Sequence, residues 1–440
     1  MTRFGVNYTP SNGWFHSWLD FSASEVARDM EQIASLGVDH VRIFPLWPLI
    51  QPNRSLIRAS ALQHVVEVVD IAESFGLDVN VDALQGHLSS FDFMPSWLES
   101  WHRRNMFTSP DIVSSTAAYV SALSLAVAGR PNLLGVTLGN EVNQFAHAPH
   151  PSPHPVSAAD ADAWISTMVA AVRSGLGQQH GSSALVTVAQ YDAAWYDDSQ
   201  PFGPAHAAEN GDATIAHSWV FNGASEIHGA LGAGSVRHAE YLLQLAAAWN
   251  REAHRPNWLQ EVGTPTNVVP TAEAAEFLEH TVRHALDVQD LFGITWWCSH
   301  DVSRSLADFP ELEYDLGLFT NDGRLKPTGE RFAEMAKAFG SGTNAQARIS
   351  APFAHALVLD DIDDSGSALS QVRASCAPGG QFSMAWVALA TELGRGPQVV
   401  LRSRLAQTGL LEARGINTLH RVPADAQSLS FSSAHPATSH

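Results

Sequence analysis

The sequence predicts an α/β fold: a (β/α)8 TIM barrel followed by a small C-terminal α/β domain. Three observations predict it. Short apolar runs alternate with amphipathic segments from Phe4 to Phe339, and eight such runs can be counted. Regular alternation implies a parallel sheet, and eight units imply closure into a barrel. Several runs are apolar throughout, as strands buried on both faces must be. An open doubly wound sheet would want a glycine-rich phosphate turn after its first strand, and Tyr8-Thr9-Pro10-Ser11-Asn12 is not one.

The first strand, Phe4 to Tyr8, runs into an aromatic loop, Trp14-Phe15-His16-Ser17-Trp18. Ser22 and Glu25 have capping-box spacing, Val26, Met30 and Ile33 share a helical face, and Gly37 is placed to end that helix. His40–Phe44 is the second strand, a helix runs from about Ser60 to Phe75, and Leu77–Asp82 is the third strand. A long loop with His87, Trp97 and Trp101 leads to a helix near Ile112–Ala128. The fourth strand, Leu134–Leu138, ends in Gly139-Asn140-Glu141. The segment 144–156 is rich in His and Pro. Its prolines deny His147, His150 and His154 a shared helical face, so a solvated loop is expected rather than a metal site. A helix near Ala159–Leu176 precedes strands at Ala184–Ala189 and Thr214–Trp219. The helix Val236–Arg251, a strand ending at Glu261, a helix near Thr271–Gln289, the strand Gly293–Trp297 and a helix Thr328–Phe339 complete the barrel over residues 1–340.

Ser341-Gly342-Thr343-Asn344 reads as a linker. Residues 345–425 read as the small α/β domain, with strands at Ala356–Leu359 and Gln398–Leu401, a helix near Phe382–Leu393 and a third strand at Ile416–His420. Gly379-Gly380 before its helix reads as a plain turn. The polar tail, 426–440, is expected to be disordered. So small a core suits packing on the barrel or on a second subunit.

Composition excludes several functions. Asp and Glu outnumber Lys and Arg 45 to 25, a formal charge of −20. Such a field repels nucleic acid and anionic membrane surfaces but leaves a neutral sugar unpenalised. Two cysteines make no disulfide framework. No apolar run approaches the ~18 residues of a membrane span, and Arg3–Tyr8 reads as a strand rather than a secretion signal. The expectation is a cytoplasmic protein.

The chemistry is expected where strands end, at the C-terminal mouth of the barrel. A carboxylate closing a buried strand can be the first solvated residue, but the pattern recurs: Glu141 closes the fourth strand and Glu261 the seventh. A pair of such carboxylates is the usual equipment for glycoside hydrolysis. Arg42, His87, Asn140, His217, Trp219 and Trp296 fall at other strand ends or just beyond them, and Trp47 follows the second strand. Nine of the 13 tryptophans map to strand ends and the loops after them, which suits a sugar site whose C–H faces stack on aromatic rings. Glu261 must be ionised to attack, helped by Arg42. Glu141 must be protonated, helped by burial and by the other carboxylate. Asn140 can bond a sugar 2-hydroxyl.

These residues carry a family resemblance. Asn140-Glu141, Glu261 closing its strand, Arg42 in Val-Arg-Ile-Phe and Trp296 resemble glycoside hydrolase family 5, in the clan of retaining (β/α)8 glycosidases, over about residues 3–340. The resemblance implies that Glu141 is the acid/base and Glu261 the nucleophile. It implies that Trp296 rather than Trp297 lies under the sugar, and that no metal or organic cofactor is needed. Many members carry His-x-Tyr on the sixth strand, the tyrosine bonding the nucleophile. This chain has His217-Ser218-Trp219, so Tyr191 or Tyr8 is expected to supply that support. Phe4–Phe21 and Arg42–Asn53 are similar to the intracellular exo-β-mannosidase branch, whose members cleave β-1,4-linked mannose from N-glycan core fragments. The C-terminal unit is similar to domains that mediate oligomerisation in related glycosidases. The resemblance thus implies a retaining exo-β-mannosidase acting on a small oligosaccharide, Man-β-1,4-GlcNAc, as a homo-oligomer. A β-glucosidase, an endo-β-mannanase, a carbohydrate-binding barrel without catalysis and a metal-dependent barrel hydrolase are the alternatives.

Overall fold

The computed structural model describes residues 2–85, 87–177, 183–340 and 353–423. Eight parallel strands form the barrel: β1 (Arg3–Asn7), β2 (His40–Ile43), β3 (Asp78–Leu84), β4 (Leu133–Gly139), β5 (Leu185–Thr187), β6 (Thr214–Ser218), β7 (Asn257–Val262) and β8 (Leu291–Trp296). Their order is β5-β4-β3-β2-β1-β8-β7-β6, so β1 pairs with both β2 and β8. No ladder joins β5 to β6 among the described residues. These strands are linked by two short helices, Ala193–Tyr196 and Pro204–Ala208, where strict alternation would place one long one. The expected linker 341–344 and tail 426–440 lie outside the described residues.

Alternation along the strands sorts the side chains. Val79 and Val81, and Val136 and Leu138, belong to the apolar core between sheet and helices. Asn80 and Asp82, Thr137, Thr187 and Thr295 turn into the barrel, where Asn80 donates to Thr137 at 2.8 Å and Thr137 meets Thr187 at 2.8 Å. Gly5 permits this filling, since a Cβ there would lie 2.2 Å from the His40 ring. A bulge interrupts β7. Ala216 pairs with Leu259 but His217 pairs with Glu261, so Gln260 is an extra residue on that strand. Gln260 donates inward to Thr137 at 3.0 Å, and the residue after it is re-aimed to the same side. Glu261 owes its direction to that bulge.

The helix Ala23–Ser35 starts as its sequence requires, with Ser22 accepting from the Glu25 backbone at 3.4 Å. Glu25 itself reaches Asn12, at 3.0 Å, rather than back to the cap. The helix Pro110–Val127 corrects one reading, for it is long and apolar enough by composition to cross a membrane. In the barrel it packs on the helix Ala158–Leu176, burying Ile112, Tyr119, Val120, Leu123 and Val127.

Residues 353–423 form a second, three-stranded parallel sheet, with β9 (His355–Leu359) between β10 (Gln398–Leu401) and β11 (Thr418–His420). It packs on the barrel helix His238–Trp249, against which β10 and the helix Gln381–Leu393 both lie. That helix is buried almost all round, which a helix covered on both sides must be. Tyr241 there donates to the Cys376 carbonyl at 2.7 Å and packs its ring on Trp386. Glu240, also buried, accepts from Arg237 at 2.6 Å and from the Gly396 backbone at 2.9 Å.

Candidate active site

The two strand-end glutamates meet at the mouth of the barrel, both buried. Glu141 follows β4 in the left-handed region, at φ 51°, so the chain turns and sends its side chain over the opening. One oxygen of each carboxyl and one ring nitrogen of His217 lie within 4.8 Å of one another.

Arg42 organises the floor. It is fully buried and donates to Glu261 at 2.7 Å, to Asn140 at 2.8 Å, to Asn7 at 3.2 Å and, through both Nε and Nη2, to Asp82. Its planar fork suits several fixed acceptors at once. Buried under the pair with no exposed side-chain surface, Arg42 positions Glu261 and Asn140. Burial pushes the Asp82 carboxyl up to about 6 despite Arg42, with the charge of Glu261 adding. Asn140 has its oxygen on Arg42 and one amide hydrogen on the His87 carbonyl at 2.9 Å, which fixes the amide plane.

His217 stands between the glutamates, its Nδ1 2.7 Å from Glu141 and 3.5 Å from Glu261. Burial works against its charge, but Glu261 and Glu141 outweigh burial and raise its pKa above the ordinary imidazole value. For Glu141, burial favours the proton, yet the bond and charge of His217, the charge of His87 and the bond from Gln144 at 2.6 Å hold the carboxyl below its usual range. This corrects the expectation of a raised Glu141. The two shifts run in opposite directions across one short contact, His217 upward and Glu141 downward. A cation is poorly served by this cluster, the one such group among the described residues: Arg42 and His217 already occupy the carboxylate oxygens it would need.

The tryptophans separate by side of the strand. Thr295 points inward, bonded to His40 and to Trp258, each at 2.8 Å, so its neighbour Trp296 points outward and packs on Phe332 of the last helix. Trp296 is therefore core, and Trp297 is the residue at the mouth, 5.6 Å from Phe44 and 6.5 Å from Trp219. Trp219 covers Gly263, where a Cβ would meet its ring at 2.8 Å. Trp47 is also outside the site: it begins the short helix Trp47–Ile50, bonds Gln51 at 2.8 Å and stacks on Tyr119.

His87 holds the rim, its Nδ1 2.9 Å from Asp92 in a short hairpin. His150 reaches the same Asp92 at 3.0 Å, and His154 reaches Glu99 at 3.2 Å. His150 and His154 are thus latches between the loops after β4 and β3 rather than solvated side chains, while His147 lies by Gln200 in the segment after β5. Neither tyrosine proposed to support the nucleophile does so. Tyr8 donates to Asp29 at 2.9 Å, and Tyr191 lies in the field of Asp192 and Glu141. Arg42 and His217 face Glu261 instead.

Sequence reasoning missed Asp82, Gln144, Asp192 and Glu313. Asp82 had a usable signal, the same strand-end carboxylate that marked Glu141. Glu313, in the loop after β8, has its carboxyl pushed up to about 7 by burial, with Ser89 and His87 opposing and Glu261 adding. Nothing in its local sequence marks it.

Close carboxylates at the mouth of such a barrel are the equipment of a glycoside hydrolase. No protein-family model and no curated protein matches the chain. Solved structures do. A subfamily 18 protein of glycoside hydrolase family 5 from Streptomyces cattleya, a Glu→Ala variant in complex with Man-β-1,4-GlcNAc, is 49% identical at a TM-score of 0.90, over 96% of this chain and 99% of that one. A Glu→Ala variant from Bifidobacterium longum subsp. longum ATCC 55813, in complex with the same disaccharide, is 40% identical at 0.89, over 98% and 99%. The exo-β-1,4-mannosidase of Opitutaceae bacterium strain TAV5, 21% identical at 0.72 over 91% and 69%, shares the fold. The chain belongs to glycoside hydrolase family 5, subfamily 18.

Proposed function

We propose that this glycosidase is a retaining exo-β-mannosidase that releases mannose from short β-1,4-linked mannosides such as Man-β-1,4-GlcNAc. The observation that carries the reading is the closeness of the carboxyl pair, with oxygens within 4.8 Å. Retaining enzymes hold their carboxyls about 5–5.5 Å apart, whereas inverting ones leave about 6.5–9.5 Å for a water. The disaccharide in the two similar structures supports the substrate.

In this reading Glu261, held in place by Arg42 at 2.7 Å, attacks the anomeric carbon and forms a glycosyl ester. The glycosidic bond breaks, and its oxygen takes a proton from Glu141. In this reading the 2.7 Å contact between His217 Nδ1 and Glu141 lets a proton pass to the carboxylate as the leaving oxygen gains charge. The leaving sugar departs on the Glu141 side. Glu141 then draws a proton from water, which opens the ester and releases the sugar with its configuration kept. Asn140 presents its remaining amide hydrogen to the 2-hydroxyl.

Exo action is supported by a wall. Trp14 from the loop after β1 lies 5.3 Å from Phe91 in the hairpin after β3, and 4.8 Å from Phe309 in the loop after β8. Phe91 and Phe309 meet at 4.7 Å, so three loops join here, and in this reading they wall one end of the cleft.

The test is a panel of p-nitrophenyl glycosides followed by Man-β-1,4-GlcNAc, with the first-formed anomer read by NMR. Preference for the β-mannoside, with β-mannose appearing first, is expected. A glucoside preference, α-mannose as first product, or cleavage within long mannan would reject the corresponding part of the reading.

A further inference from the structure

Arg373 belongs to the C-terminal unit, in the short helix Arg373–Cys376 between β9 and the helix Gln381–Leu393. Its guanidinium nevertheless serves the barrel. Nη1 donates to the carbonyls of Ala194 at 3.2 Å and Phe202 at 3.1 Å, and Nη2 to those of Asp198 and Gln200, each at 3.0 Å. The contact is reciprocal: the Asp198 carboxylate accepts from the backbone of Arg373 at 3.0 Å and of Ala374 at 2.9 Å. Four carbonyls of one irregular segment thus converge on a single side chain supplied from outside the barrel. This is the segment after β5, where the barrel lacks a ladder and a long helix.

The same segment reaches the catalytic acid. Tyr191 at its start exchanges two hydrogen bonds with Asn143, two residues after Glu141. The Tyr191 backbone donates to Asn143 at 2.8 Å, and Asn143 donates back to the Tyr191 carbonyl at 3.3 Å. Asp192 is buried, takes a hydrogen bond from Asn222 in the loop after β6, and feels the charge of Glu141. Further on, Gln200 donates to the Ala148 carbonyl at 3.1 Å, in the loop that follows Glu141. The leaving oxygen must lie on the Glu141 side, so the sugar attached to it lies against this segment.

We propose that Arg373 is a positioning residue for the leaving-sugar side of the site: by fixing residues 194–202 it holds Tyr191 and Asp192 beside Glu141. The C-terminal unit is then part of the active-site architecture as well as a cover for the barrel helix His238–Trp249. This rests on the glycosidase reading above, because it assigns the leaving sugar to that side.

The test compares full-length wild type with Arg373→Ala and Arg373→Lys. Thermal unfolding first establishes that each variant is folded. Hydrogen exchange is expected to show amides of 191–203 losing protection in Arg373→Ala, with those of β4 and β7 unchanged. The ratio of kcat/KM for Man-β-1,4-GlcNAc to that for p-nitrophenyl β-mannoside is expected to fall on the order of tenfold to a hundredfold, the cost of misplaced groups. A nitrophenolate needs little proton and makes no hydroxyl contacts, so it is largely spared. Lys is expected to restore part of the ratio, since one ammonium cannot serve four carbonyls in a plane. Unchanged protection of 191–203, or an equal loss on both substrates, would overturn the inference. Wild type that cleaves neither mannoside would instead overturn the function proposed above, and the exchange result would still decide what Arg373 holds.

Discussion

Replacing Glu141 by Ala separates the two carboxyl roles. The side chain makes one bond to His217 at 2.7 Å and one from Gln144 at 2.6 Å, and no described cation bonds it directly other than His217. Its removal leaves His217 facing Glu261, now 3.5 Å away with no competitor. The nucleophile stays in place on Arg42. General acid assistance is worth about 10²–10⁴ in rate, or roughly 3–5.5 kcal/mol, and that whole amount is needed for a sugar leaving group. A nitrophenolate needs little of it. The disaccharide should therefore lose about 10²–10⁴ in kcat/KM, and an activated aryl mannoside far less in its first step. The second step, which needs Glu141 as base, should become limiting for the aryl substrate. Azide can enter the space left beside His217, attack the ester on Glu261, and give a β-glycosyl azide. In Glu261→Ala, azide takes the place of the nucleophile and should give the α product. Steady-state kinetics on both substrates, with NMR of the azide adducts, reads all of this. The opposite pairing of anomers would reverse the roles, and equal losses on both substrates would refute Glu141 as the proton donor.

Other outcomes follow from the same geometry. Trp296→Ala should cost about 3–5 kcal/mol of stability by opening a core cavity against Phe332, whereas Trp297→Ala should cost chiefly catalysis; denaturant melts and kcat/KM on folded variants decide, and a reversed order would restore Trp296 as the platform. With His217 raised above its ordinary 6.5 and Glu141 lowered, a proton shared by the pair should be lost as pH rises through the raised His217 value. The alkaline limb of kcat/KM for the disaccharide should therefore lie above about 6.5, and a limb at or below it would contradict the pairing. Glu240 is pushed up from 4.5 to about 7 by burial against the opposition of Arg237 and Gly396. A folded value above the unfolded one means that its stabilisation is whole below about 4.5 and is lost as pH rises through about 7, on the order of 3 kcal/mol at about 1.4 kcal/mol for each pH unit of the gap. Urea melts of wild type and Glu240→Gln at pH 5 and 8 should diverge in their pH dependence, and a constant difference between them would dismiss the argument.

The sequence by itself determined the barrel, because eight buried strands must be written as apolar runs and the helices between them as amphipathic ones. It determined both glutamates too, since a carboxylate closing such a run is costly to bury and stands out. Arg42, Asn140 and His217 were legible as strand-end polar residues for the same reason. What the sequence left open was direction. Trp296 and Trp297 are adjacent and chemically alike, and only the inward hydrogen bonds of Thr295 decide which ring turns to the mouth of the barrel. Glu261 faces the site through a bulge at Gln260, which no residue type announces. The contact of His217 with Glu141, the latches of His150 and His154, and the grip of Arg373 on the loop after β5 join residues up to 179 positions apart. Such contacts depend on where strands and loops come to rest against one another, and local pattern carries no record of them.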